Sequence, residues 1–394
     1  MIVLIKGRGK SLIILVIIGL FGFMPNVHPD SSVQNVSTSA PDYWPTTGWL
    51  TSTPEEQGMN SSLLDEFVDA IEDVSLPLLS YLVIRNGYII LEGYPDPDYN
   101  ESTLKHVWSV TKSFTSALVG MALGAGDLTS LDELVVDFFP DKTIANLDED
   151  KQSITVEHLL TMTAGFEWSS ATDPSDMMDS PDWIQYVLDK PMADVPGETF
   201  NYNSGASHLL SAIVNRTTGI PTQSYADTYL FQPLGISDYE WIIDPQGVAS
   251  GHAGLNITPR DMAKFGFLYL NNGTWDGEQI VPSTWVSAST QVQAPDEDYG
   301  FQWWIDPERD AYYAFGRDGQ YIWVQPKNDL IVVFTASEGM YLSLIPWYII
   351  PAILSTPTPT TPISPPPIDM RIIGLVAGAA VIVVIVLEVF RRRR

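Results

Sequence analysis

Two residues of this chain could do nucleophilic chemistry together, Ser109 and Lys112, in the stretch Trp108-Ser-Val-Thr-Lys-Ser-Phe114. A serine hydroxyl is a weak nucleophile until a base takes its proton, and Ser-x-x-Lys on a helix puts both side chains on one face. Spacing alone is ambiguous, because Ser102-Thr-Leu-Lys105 repeats the pattern seven residues earlier. On spacing alone, a capping serine followed by a solvated lysine also explains the pair equally well. Context separates the two copies. Ser102 follows Pro-Asp-Tyr-Asn in a polar, sequon-bearing loop, whereas Ser109 opens a helical pattern of Phe114, Ala117, Leu118 and Met121. A helix N-terminus offers backbone N–H groups and partial positive charge to a developing oxyanion, so Ser109 is the candidate nucleophile.

Other chemistries find no support. The sequence has no cysteine, which excludes a disulfide, a thiol nucleophile and a thiolate metal site. His28, His106, His158, His208 and His252 lack metal-ligand spacing and have no carboxylate cluster beside them, so no metal and no cofactor is expected. The Gly-x-Ser-x-Gly signature of many Ser-His-Asp hydrolases is absent. Between the two apolar ends lie 12 of the 20 Lys and Arg but 46 of the 48 Asp and Glu, a formal −34. Such a surface keeps a protein soluble by self-repulsion, disfavours strongly anionic substrates and argues against nucleic acid as a partner.

The elements that must position the pair can be read around it. Ser61-Ser-Leu-Leu-Asp-Glu-Phe-Val-Asp-Ala-Ile71 has helical apolar spacing behind a capping serine. Tyr81–Ile84 and Tyr88–Leu91 flank Arg85-Asn-Gly87, a strong hairpin signal. A long region, 105–285, is dominated by helical patterns at Ser113–Leu123, Val156–Thr161 and His208–Val214. Strands resume at Tyr299–Ile305, Ala311–Phe315, Tyr321–Gln325 and Ile331–Ala336, with Pro326-Lys-Asn-Asp329 as a turn. Strands from both ends of the domain around a helical insertion predict an α+β fold: one antiparallel sheet flanked by helices, with a helical lobe beside it.

Four motifs in this order, Trp108-Ser-Val-Thr-Lys-Ser-Phe114, Leu159-Leu-Thr-Met-Thr-Ala-Gly165, Pro196-Gly-Glu-Thr-Phe-Asn-Tyr-Asn-Ser204 and Gly316-Arg-Asp-Gly-Gln320, give the sequence a family likeness. Over residues 55–345 it resembles the class C β-lactamase-related serine hydrolases, in particular the branch of 6-aminohexanoate-dimer hydrolases and related esterases. That resemblance implies a β-lactamase/transpeptidase-like fold. It implies that Ser109 is acylated, that Lys112 receives or steers its proton, and that Tyr202 is a second base that protonates the leaving group. A neighbouring Lys⁺ would lower the phenol's pKa enough for that task; the competing reading of Tyr202 is a core tyrosine with a satisfied hydroxyl. Ser204 matches the third position of the same motif and is expected near Lys112, unless it is an ordinary turn serine. The oxyanion hole implied by the resemblance takes one N–H from Ser109 and a second from Arg317.

One departure narrows the chemistry. The family's Lys/His-Thr-Gly is replaced by Ala314-Phe-Gly316, which keeps an accessible glycine at the substrate edge but loses the cation that meets a β-lactam or peptide carboxylate. An ester or amide substrate is therefore expected over an antibiotic or a D-amino-acid peptide. Arg317 is either a cation restored from the next position or a solvated arginine at a hairpin. Trp168 is a candidate substrate-binding residue, and Trp303 and Trp304 are candidates for lining an acyl pocket or for the core. Two other readings stay open: a penicillin-binding or D-amino-acid peptidase-like enzyme, and a catalytically inactive binding ectodomain on a stalk.

Both ends of the chain read as membrane segments. Lys6, Arg8 and Lys10 precede the apolar run Leu12–Phe23, which suits a signal peptide or signal anchor over 1–27. A flexible leader (28–50), the hydrolase domain (51–350) and a Pro/Thr-rich stalk (351–369) follow. The segment 370–390 is apolar enough to span a bilayer, and the basic tail 391–394 places it with the domain outside the cell. Six sequons, at Asn35, Asn60, Asn100, Asn215, Asn256 and Asn272, suit an exported chain. The reading that results is a membrane-held extracellular serine hydrolase acting on a small-molecule ester or amide.

Overall fold

The computed structural model describes residues 41–354, residue 74 apart. Leu78–Arg85 (β1) and Tyr88–Gly93 (β2) form the expected hairpin. Its turn residues take the left-handed conformations that Asn-Gly tolerates, with φ 50° at Asn86 and 82° at Gly87. Five short strands follow: Lys105–His106 (β3), Tyr239–Trp241 (β4), Leu255–Ile257 (β5), Thr274–Trp275 (β6) and Glu278–Gln279 (β7). The chain re-enters the main sheet through Trp304–Asp306 (β8), Ala311–Gly316 (β9), Gln320–Gln325 (β10) and Leu330–Ala336 (β11). The six-stranded sheet has the order β2-β1-β11-β10-β9-β8 and is antiparallel throughout. β1 pairs with β11, so the sheet is closed across the helical insertion and the fold is α+β, as expected.

The central strands are unbroken apolar runs because both faces of the sheet are covered. Side chains alternate between faces with period two. Leu82, Ile84, Ile322, Val324, Ile331 and Val333 enter the larger core with the helical lobe. Tyr81, Val83, Tyr321, Trp323, Val332 and Phe334 enter a second core under the helix Ser61–Asp73 and the C-terminal segment around Ile345 and Ile349.

The helix Thr111–Ala125 runs through the larger core and is buried on nearly every side, with Gly126 in left-handed conformation at its end. Its hydroxyls, which would be costly if unpaired, tie it to two loops. Ser113 and Ser116 donate to the carbonyls of Gln302 and Phe301, and Thr115 donates to Gly251. At Gly120 even a methyl group would meet the Trp285 ring at 2.2 Å, so the helix lies against that indole only as glycine.

Three expectations are corrected. Tyr299–Ile305 is not one strand: Gln302 sits at φ 63°, which breaks it and leaves only β8 in the sheet. The buried Gln302 side chain instead donates to the carbonyls of Leu159 and Leu160 and accepts from Ser207. The last part of the leader, 41–50, is packed: Trp44 and Trp49 lie against Phe267, and Tyr43 donates to the Gly87 carbonyl. The domain also runs past 350, since Met59 bridges to Ile353 and the Leu354 N–H donates to Gly58. Among the described residues no helix is long and apolar enough to cross a membrane. The signal segment 1–27, the stalk from 355 onward, the span 370–390 and the tail lie outside the described residues.

Candidate active site

Ser109 lies in a single 3₁₀ turn, Trp108–Val110, at the entrance to the helix Thr111–Ala125, one step earlier than a regular helix start. The chain reaches it from β3, which pairs with β5, and the Val107 N–H continues that ladder onto the Leu255 carbonyl. Trp108 is forced to φ 50°, a costly conformation for a bulky side chain, immediately before the serine. Its ring is held from two sides, by the His106 ring at 4.2 Å between centroids and by the Arg317 guanidinium at 4.8 Å.

Lys112, one helical turn on, is 1 % exposed. Its Nζ lies 3.1 Å from Ser109 Oγ, 3.3 Å from Ser204 Oγ and 2.9 Å from the His252 carbonyl oxygen. Burial pushes its pKa down to about 7, so near neutral pH a large share of the amine is unprotonated and able to accept a proton. A neutral amine has two N–H donors and one lone pair. With a carbonyl and a hydroxyl taking the two protons, the lone pair is left for the Ser109 hydroxyl. Ser102 and Lys105, the rival pair, are apart: Ser102 is exposed and bonded to Asn100, while Lys105 belongs to β3.

Tyr202 and Ser204 come from the start of the helix Ser204–Thr218, which Asn203 caps by accepting from the Ala206 N–H. The Leu159–Gly165 motif braces this segment from behind, since Asn201 donates to the Met162 carbonyl and the Asn203 N–H lies 3.3 Å from Met162 Sδ. Lys112 Nζ stands 4.9 Å from the centre of the Tyr202 ring. The expected lowering of the phenol's pKa is not found. Burial pushes it up to about 12, and a hydrogen bond with Ser109 offsets this only in part. Burial lowers the Lys112 pKa as well, so near neutral pH it is only in part a cation beside the phenol. The pair can therefore work as a neutral base and a protonated phenol.

The strand edge carrying Gly316 meets the serine turn face to face. A Cβ at Gly316 would lie 2.2 Å from the Val107 carbonyl oxygen and 3.2 Å from Ser109 N, so any side chain would push β9 off the serine. The next amide is that of Arg317, at the start of a tight turn with φ 63° at Asp318 and 87° at Gly319. Gln320 fixes this turn by donating to the carbonyls of Arg317, Asp318 and Ala336. Ser109 and Arg317 both line the cavity, where their N–H groups are the candidates to meet an oxyanion.

The cavity above Ser109 has a volume of about 430 Å³. Its walls include Met178, Ile242, Trp304 and Phe315, and no carboxylate lines it despite the acidic surface elsewhere. Trp304 is stacked on Tyr202, ring centres 5.8 Å apart, while its neighbour Trp303 is fully buried in the core, so the tryptophan pair is split between the two roles. Trp168 does not line the cavity, contrary to expectation: it is buried behind Gly205, where an added Cβ would meet its ring at 2.8 Å. Arg317 is exposed at the mouth, so a cation stands beside the place of the missing Lys/His rather than in it. Sequence reasoning missed Met178, Ile242, Phe315, His106 and His252 as lining residues, because none belongs to a spacing pattern and only folding brings them together.

A family profile described as Beta-lactamase matches residues 62–339, most of the chain. The chain belongs to the β-lactamase family. Relatives within it are named as hydrolases and esterases. The 6-aminohexanoate-dimer hydrolase of Paenarthrobacter ureafaciens is 29% identical over 153 residues, covering 35% of this chain and 39% of that one. Esterase EstB of Burkholderia gladioli is 30% identical over 178 residues, covering 40% of this chain and 45% of that one. The chain thus matches less than half the length of either relative. A solved Bacillus anthracis structure, provisionally named a 6-aminohexanoate-dimer hydrolase, superposes with a TM-score of 0.64 over 72% of this chain and 80% of its own at 24% identity. That likeness carries the fold.

Proposed function

We propose that this hydrolase cleaves small-molecule esters or amides through an acyl-enzyme on Ser109. The observation that carries the reading is the buried Lys112 amine, its pKa pushed down to about 7, standing 3.1 Å from Ser109 Oγ and beneath a cavity without carboxylates. Ser109 Oγ attacks the substrate carbonyl carbon and its proton passes to Lys112 Nζ. The negative charge that develops on the carbonyl oxygen is met by the N–H groups of Ser109 and Arg317. As the tetrahedral intermediate collapses, the bond to the leaving oxygen or nitrogen breaks. Tyr202 gives that atom its proton and is reprotonated from Lys112. Water then attacks the acyl carbon, its proton goes to the same relay, and Ser109 Oγ departs with a proton restored. A phenol held near pKa 12 suits proton donation to a leaving alkoxide or amine better than it suits permanent service as a base. The apolar walls suit an acyl group of modest size, and the names of the esterase and dimer-hydrolase relatives support an ester or amide bond as the target.

The first test is turnover of p-nitrophenyl acetate and butyrate and of matched anilides by the full chain. Tyr202→Phe is expected to lower kcat by about 10²-fold, the usual size of a lost general acid, and more for anilides, whose leaving group needs the proton more. Equal losses for esters and anilides would remove Tyr202 from that role. We further propose that the domain is held on the outer face of a membrane by the segment 370–390, a reading that rests on its hydropathy and on the basic tail. Deleting 370–394 is expected to move the activity from the membrane pellet to the supernatant, and unchanged sedimentation would refute the anchor.

A further inference from the structure

A buried histidine–aspartate pair that the chemistry above does not use holds the loop whose His252 carbonyl meets Lys112. His208, on the helix Ser204–Thr218, places Nε2 3.0 Å from Asp244 Oδ2, and both side chains are wholly buried. Asp244 opens the loop that joins β4 to β5. Its other oxygen, Oδ1, accepts from the N–H groups of Gln246 and Val248, each at 2.8 Å. Burial alone would raise the Asp244 carboxyl; the bonds from His208 and from Val248 overcome this and hold it below its ordinary value, so it remains ionised.

The same loop is fixed along its whole inner edge. Four successive carbonyls are each taken by a side chain of the core, from two helices and β4. Ser211 Oγ donates to Ala249 O (2.6 Å), Trp241 Nε1 to Ser250 O (2.8 Å), Thr115 Oγ1 to Gly251 O (3.0 Å) and Lys112 Nζ to His252 O (2.9 Å). Gly251 has no room for a side chain, since a Cβ there would lie 2.2 Å from the Ser207 carbonyl oxygen. A loop satisfied in this way has one conformation, and the last carbonyl of the row is the one that takes a proton of the lysine amine.

We infer that His208 and Asp244 are positioning residues for Lys112: they clamp the loop Asp244–Gly254 so that the His252 carbonyl occupies one amine proton and the lone pair is left facing Ser109. The inference rests on the reading of Ser109 and Lys112 as nucleophile and base. The groups facing the amine are Tyr202 from the segment before the helix Ser204–Thr218, Ser109 and Ser204 through their hydroxyls, and His252 from the loop. The His252 ring, bonded through Nδ1 to Ser250 Oγ, is held neutral by burial and by the charge of Lys112 when that is present, so it brings no competing cation. The groups facing His208 are Asp244, the Gly251 N–H, 3.5 Å from Nδ1, and the Trp183 ring, whose centre is 5.1 Å away. When the clamp is released, the loop can move and water can reach the amine. Hydration favours the ammonium form, so the base should need a higher pH to be free.

The test compares the full chain with Asp244→Leu, Asp244→Asn, His208→Gln and Ser211→Ala. Two measurements are made on each: stoichiometric labelling by a fluorophosphonate probe, and kcat/KM for p-nitrophenyl butyrate across pH 5 to 10. Asp244→Leu is expected to move the acid limb upward by about 0.5 pH unit or more and to lower kcat about tenfold, with KM little changed. Asp244→Asn and His208→Gln, which can keep the loop bonds or one side of the pair, should fall between it and the native chain. If Asp244→Leu does not fold, Ser211→Ala removes a single loop tie and should shift the limb in the same direction by less. Folded variants with an unmoved acid limb and unchanged kcat would overturn the inference. A native chain whose Ser109 takes no probe would instead overturn the acyl-enzyme reading on which it rests.

Discussion

Ser109→Ala abolishes covalent labelling by a fluorophosphonate probe and lowers ester turnover by about 10³-fold or more, the scale on which a nucleophile's loss is felt when oxyanion stabilisation and substrate binding survive. The fold should tolerate the change. Ser109 is only half-buried, and the substitution removes one hydroxyl whose bond to Lys112 contributes about 1 kcal/mol net. Thermal unfolding of the variant should therefore stay close to that of the native chain while activity collapses. The decisive control is Ser204, the second hydroxyl within reach of the same amine, 3.3 Å from Lys112 Nζ. Peptide mapping of the native adduct should place the probe on the peptide holding Ser109. Labelling that persists in Ser109→Ala and maps to Ser204 would reverse the roles of the two serines. The geometry speaks against that outcome, because Ser109 sits against the Gly316 edge of the sheet, whereas Ser204 is 8 % exposed within a capped helix start.

What could be read from sequence follows the range of the interactions involved. The hairpin around Asn86 and Gly87 was legible because it is decided by two adjacent residues that tolerate positive φ. The nucleophile pair was legible as spacing and ambiguous as chemistry, and the structure removes the ambiguity through contacts no local pattern carries. Ser204 is 92 residues from Lys112 and the His252 carbonyl is 140, yet these two acceptors orient its amine. The error over the Tyr202 phenol has the same origin. Sequence places a lysine and a tyrosine near each other through a family likeness, but only burial shows that the lysine's pKa falls and that the phenol's rises. Tyr299–Ile305 looked like a strand because its aromatics favour one. Gln302 instead takes a left-handed turn and satisfies three buried partners at once, a tertiary demand that outweighs local preference. Trp168 was judged by residue type, and its place behind Gly205 follows from how two helices and a loop meet.

The second large effect belongs to Lys112, and its pH dependence has a definite sign. The amine must be unprotonated to accept the Ser109 proton, and its pKa in the folded protein is about 7. The kcat/KM of the native chain for a simple ester should therefore rise with pH through a midpoint near 7 and level off above it, with the Tyr202 phenol still protonated across the accessible range. Lys112→Arg retains a positive, hydrogen-bonding side chain but never offers a lone pair, so about 10³-fold or more of the activity should be lost at every pH, with no recovery on the alkaline side. Lys112→Met removes donor and base together and should be as inactive. It also reports on folding. In the unfolded chain the amine titrates near its ordinary value of about 10.4, so between pH 7 and 10 the unfolded state holds a proton that the folded state lacks. This group's contribution to stability accordingly rises with pH across that window and is absent at or below about pH 7, where burying the ammonium is a net cost. Denaturant titrations of the native chain and Lys112→Met at pH 6.5 and pH 9 should show the difference between them shifting toward the native chain at the higher pH. A native acid limb well away from 7, or one that survives in Lys112→Arg, would mean that a different group receives the serine proton. His252 also lines the cavity, and if it were that group, its pKa, held well below the ordinary imidazole value, would place the limb on the acidic side of the predicted one.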